Sequence, residues 1–123
     1  MKKFILIAAL AVSGCVSAPQ IQMLMPVQLT ESQSEQVKAA VIAKLKDPGS
    51  ADFGNMKAGK DMSGKIFVCG HVNAKNSYGG FTGMTPFGGD FTPSGSFLVG
   101  GIGGVPAVST AIYQVCNKQG LHI

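Results

Sequence analysis

The pattern of apolar and polar positions divides the chain into one helix-like stretch and several strand-like ones. Val37, Ala40, Val41 and Leu45 fall at i, i+3, i+4 and i+8, a single apolar stripe at helical spacing, while Lys38, Lys44 and Lys46 take other faces. Thr30 or Ser32 can cap this helix, Ser32 with Glu35 has the spacing of a capping box, and Asp47-Pro48-Gly49 ends it. Lys44 and Lys46 then sit near its C-terminal end, where positive charge suits the helix dipole. A single stripe predicts one helix packed on a sheet.

The period changes after Ser50. Residues 51–58 alternate weakly and predict a first strand, followed by a turn with Ser63-Gly64 at its corner. Residues 65–73 carry the strongest strand signal. Ile66, Val68 and Val72 face one way, and Phe67, Cys69 and His71 face the other. Both faces are largely apolar, which predicts a central strand covered on both sides and paired antiparallel with its predecessor. Residues 73–80 read as a polar loop. Further strands are expected over 81–87, 96–102 and 108–116, the last with a short helix as its alternative, and a tail over 117–123. Gly100-x-x-x-Gly104 has the spacing of a membrane dimer motif, but its apolar run is too short and it reads as a bent strand or turn. The expected fold is α+β: one N-terminal amphipathic helix on an antiparallel sheet of four or five strands.

The N-terminus adds a destination. Lys2 and Lys3 are followed by the apolar run FILIAALAV over residues 4–12, then small residues and Cys15, which is the layout of a secretory signal peptide. The run is too short to span a bilayer, which takes about 20 residues. Val12-Ser13-Gly14-Cys15 resembles the lipobox of bacterial lipoproteins. That resemblance implies cleavage before Cys15, diacylation of its thiol and anchoring by acyl chains. Val16 and Ser17 lack the aspartate that resembles an inner-membrane retention signal, so the outer membrane, facing the periplasm, is the expected location. The chain then divides into a signal peptide over 1–14, a lipidated cysteine and tether over 15–29, and one domain over 30–123. Met23 and Met25 in the tether read as packing or membrane-surface residues, since no histidine or third methionine lies near them in sequence.

Composition narrows the function. Hydrophobic residues make up 46% and charged ones 13%, too apolar for a disordered chain. The ten basic residues are all lysines. Without Lys2 and Lys3, eight face six carboxylates. They are scattered along the chain and read as solubilising, so no nucleic-acid partner is expected. The carboxylates lie mostly on the helix and in turns, with no spacing that pairs an acid with a base, and no serine elbow or HExxH is present. The expectation is a non-enzyme with no cofactor.

With Cys15 assigned to lipid, Cys69 and Cys116 are left as an even pair in an oxidising compartment, which points to a disulfide worth about 4 kcal/mol in the chain-entropy model. Cys69, His71, Cys116 and His122 would be the alternative, a zinc-like set, but their spacing matches no usual zinc pattern.

LKDPGSADF over residues 45–53 and VCGHVNAKNSYGGFTGMTPF over 68–87, with a later cysteine, resemble a family of small bacterial envelope lipoproteins marked by V-C-G-x-V-N-x-K-N-S-x-G-G-[FY]-x-G and carrying no assigned activity. His71 stands where that family commonly has an acidic residue. If the motif forms a binding face, Asn73, Lys75, Asn76, Ser77 and Tyr78 are carried over, and Phe81 adds a stacking surface. The ligand would be an envelope protein, a peptide or a glycan. Equally, the asparagines can bond the loop's own backbone while Tyr78 and Phe81 cover the core. The expected function is a membrane-anchored periplasmic interaction module. The alternatives are a structural lipoprotein and an inhibitor or exclusion factor against a lytic enzyme or phage.

Overall fold

The computed structural model describes residue 14, residues 23–75 and residues 83–123. Five strands form one antiparallel sheet in chain order: β1 (Met25–Val27), β2 (Asp52–Lys60), β3 (Ile66–Asn73), β4 (Thr85–Phe91) and β5 (Phe97–Ile102). Two helices accompany it, α1 (Glu31–Ile42) and α2 (Pro106–Lys118), with a 3-10 turn at Pro48–Ser50. The fold is α+β.

The alternation of β3 feeds two cores. Val68 and Val72 join Val37, Val41, Phe87, Phe91 and Phe97 in the larger one. Cys69 joins Cys116 and Leu121 in the smaller, where Phe67, Ile112 and Leu24 pack. Successive strand residues point to opposite faces, so the two clusters lie on opposite sides of the sheet. The glycine of the VCGHV run has a steric cause. Gly70 pairs with Phe87, which is fully buried, and a Cβ on Gly70 would lie 2.7 Å from the Phe87 ring.

Helix α1 is capped by Thr30, the first of its two expected caps, so its box lies two residues before the expected Ser32–Glu35 pair. Thr30 is extended at ψ 162° while Glu31 and Ser32 are already helical, so the reciprocal bonds form between Thr30 and Gln33. The Thr30 hydroxyl accepts from the Gln33 amide at 3.1 Å, and the Gln33 side chain accepts from the Thr30 amide at 3.0 Å. The helix closes at Ile42, so Lys44 and Lys46 lie beyond its last turn rather than within it.

Residues 106–118 form a helix where a strand was the first expectation. Pro106 stands at the first helical turn, where its fixed φ and missing N–H cost nothing. Gly120, at φ 79°, closes the other end. Its amide donates to the Asn117 carbonyl at 3.0 Å and the Leu121 amide to the Cys116 carbonyl at 2.9 Å, a Schellman closure that turns Leu121 into the smaller core. The expected 117–123 tail is therefore partly helix and partly core. Two strands also shift. The strand expected over 81–87 begins at Thr85 and runs on through Gly88, which sits under the Cys69–Cys116 bridge, and Gly89, which lies against Phe97 and the Leu98 backbone. At the other edge, Met25–Val27, at the end of the expected tether, pairs with residues 58–60 as β1.

The β2–β3 turn is locked by one carboxylate. Asp61 Oδ1 accepts from the Ser63 hydroxyl at 2.6 Å and from the Ser63 and Lys65 amides at 2.9 Å each. The Ser63 hydroxyl above all, with these amides, holds the Asp61 carboxyl below its ordinary value. A lowered folded pKa means this turn adds stability above the ordinary carboxylate range and loses it as pH falls through the folded pKa. In an NMR titration Asp61 should titrate below 3.8, and Ser63→Ala should raise it. An unchanged pKa in Ser63→Ala would contradict this reading of the turn.

Candidate functional site

Residues 45–53 and the end of β3 meet in space. Asp52 pairs with Asn73 and Phe53 with Val72 across β2 and β3. Beyond the ladder, the Lys75 amide donates to the Ser50 hydroxyl at 2.9 Å, and that hydroxyl donates to the Asp47 carbonyl at 2.9 Å. The 3-10 turn of DPGS thus fixes the base of the β3–β4 connection. Asn73 closes β3 with its side-chain oxygen buried and, among the described residues, without a hydrogen-bond partner. Asn76, Ser77, Tyr78 and Phe81 lie outside the described residues.

A cleft of about 440 Å³ opens beside this base. Lys44 and Lys46, just past α1, face it together with Lys75. Val72 and Ile102 contribute apolar walls, and Gly103–Val105 lead into the first turn of α2. That turn has no side-chain cap from Val105. The Ser109 hydroxyl accepts from the Gly104 amide at 3.2 Å instead. The ion pairs among the described residues are Lys38–Glu35 and Lys65–Asp90, so Lys44 and Lys46 are not neutralised by a carboxylate. Lysines around an apolar-walled cleft concentrate positive potential and favour acidic partners. Sequence reading did not find this cleft. Lys44 and Lys46 are some thirty positions from Lys75, and the Ser50 bond that joins them leaves no periodic signal.

The zinc-like set does not converge. Cys69 and Cys116 form a disulfide with Cα atoms 6.2 Å apart, joining β3 to α2 rather than strand to strand. His71 Nε2 lies 2.8 Å from the Tyr113 hydroxyl, and His122 Nδ1 lies 3.1 Å from the Asn117 side-chain oxygen. Among the described residues no three His, Cys, Asp or Glu side chains gather as a metal site. At the far edge of the sheet, Met62 from the β2–β3 turn lines a small cleft with Met23 and Met25, a neighbour that their sequence spacing had not revealed.

Comparison with protein-family models, with curated proteins and with solved structures finds no match for this chain. No helix among the described residues is long and apolar enough to cross a membrane.

The bridge closes a loop with a sequence separation of 47 residues, and in the chain-entropy model such a closure is worth about 4 kcal/mol. Reduction should therefore lower the free energy of unfolding by about that amount in denaturant titrations. A reduced protein with an unchanged midpoint would show that the bridge adds nothing.

Proposed function

We propose that this chain is a lipoprotein of the bacterial envelope, anchored through acyl chains on Cys15 and facing the periplasm, whose domain is a non-catalytic module that binds an envelope component. The observation that carries the binding role is the bond between the Lys75 amide and Ser50. It puts the base of the NAKNSYGGF loop and the lysine-lined cleft on one surface, with the chain leaving α1 forming part of its wall. The cleft's lysines favour a partner bearing carboxylate or phosphate groups. The lipobox-like run ending at Cys15 supports the anchor, and the Cys69–Cys116 bond fits an oxidising compartment.

A structural lipoprotein without a discrete ligand is the second reading. The same Ser50–Lys75 bond favours it, because that bond would equally brace a scaffold loop.

Binding to isolated envelopes separates the two. A Cys15→Ser full chain, which lacks the anchor, should co-sediment with envelope fractions. Asn76→Ala with Tyr78→Ala, or Lys44→Glu with Lys46→Glu, should reduce co-sedimentation about tenfold, or roughly 1.4 kcal/mol, with unchanged melting. Loss of the fold in the loop variant would assign the loop to the scaffold. Undiminished binding in folded variants would remove this surface from the function.

A further inference from the structure

The smaller core leaves an unfilled groove beside it. It runs between α2 and the floor made by β4 and β5, and measures about 570 Å³, within the roughly 300–1,000 Å³ that ligand pockets occupy. Its floor lacks side chains because Gly88 pairs with Gly101 and both face α2. A Cβ on Gly88 would lie 3.8 Å from the sulfurs of Cys69 and Cys116, and one on Gly101 would lie 3.5 Å from Ile112. Its outer wall is the apolar side of α2, where Val108 and Val115 remain 42% and 56% exposed. Its charged lining residue is Asp90, already paired with Lys65 at 2.8 Å. An apolar groove whose lining includes side-chain-free glycines suits an unbranched hydrocarbon chain, which gains by leaving water and needs no hydrogen bond.

The N-terminal chain arrives at one end of this groove. The Leu24 amide donates to the Gln119 carbonyl at 3.2 Å, and Gln119 lines the groove. Met23 lies against Gly120, where a Cβ would be 3.4 Å from its terminal methyl. Cys15 is eight residues before Met23, a span of up to about 27 Å when extended. The wall of α2 from Ala107 to Gln119 is about 18 Å long at helical rise. An acyl group on Cys15 therefore reaches any part of the groove. We propose that the groove holds an acyl chain borne by Cys15 of the same molecule, leaving the remaining chain or chains for the bilayer. This inference rests on the lipoprotein reading above.

The test is metabolic labelling of the full chain in its native host with a photoreactive palmitate analogue, followed by irradiation and mass spectrometry of the purified protein. The expected result is label on Cys15 cross-linked within one chain to peptides covering residues 107–119. Val115→Asp, at a half-exposed position that leaves the cores intact, should reduce that cross-link about tenfold, and Ala111→Phe should reduce it by filling the groove. Label on Cys15 that cross-links to lipid alone, or undiminished cross-linking in a folded Val115→Asp protein, overturns the inference and leaves the anchor standing. Cross-links joining two chains assign the groove to a neighbouring copy and also overturn it. Absence of label from Cys15 removes the anchor and this inference together.

Discussion

The bond between Cys69 and Cys116 is the constraint on which the arrangement of this domain turns. Strand β3 has a core on each side, and the two are built differently. On the side of α1, aromatic and branched residues interlock: Phe87 is fully buried against Val37, Val41, Val68 and Val72, with Phe53 edge-on to it at 6.0 Å. On the side of α2, the floor is partly bare glycine, and Cys116 is the one buried residue of the helix. Apolar burial there is thin, so the covalent link carries much of what packing supplies on the opposite face. The Schellman closure at Gly120 then sends Leu121 back over the bridge and completes the smaller core.

That division of labour explains the domain's surfaces. The dense core lets α1 end early, and the chain leaving it delivers Lys44, Lys46 and the DPGS turn to the base of the β3–β4 connection. The sparse core leaves a groove under α2 that opens where the N-terminal chain arrives. One face thus presents cationic side chains around a polar loop base, and the other presents hydrocarbon. On the proposed function both faces would have a use, since acidic groups and acyl chains are the two chemistries met beside a membrane.

Much of this fold was legible in the sequence, for reasons tied to particular residues. The alternation of Ile66–Val72 shows on both faces because a central strand is constrained twice, and the disulfide follows from an even pair of cysteines. Helix α2 was obscured by the β-branched residues Val108 and Thr110, although Pro106 and Gly120 mark both of its ends. Strand β4 begins later than its apolar pattern suggests, because Gly88 and Gly89 look like loop residues until the bridge is placed over the first and Phe97 against the second. Strand β1 has no pattern of its own: three residues become a strand because the edge of β2 offers hydrogen bonds. At the site, Asn73 closes β3 and Lys75 lines the cleft. The lysine cleft was invisible, since it depends on a single side-chain bond between distant turns.

Amide hydrogen exchange on the oxidised and the reduced protein tests most directly whether the bridge, rather than packing, holds α2. The account predicts that reduction strips protection from residues 106–123 while β2, β3 and β4 keep theirs, because the α1-side core does not depend on the bridge. Protection over α2 that stays level with that of β3 after reduction would contradict it. Apolar contact alone would then hold the helix on its glycine floor.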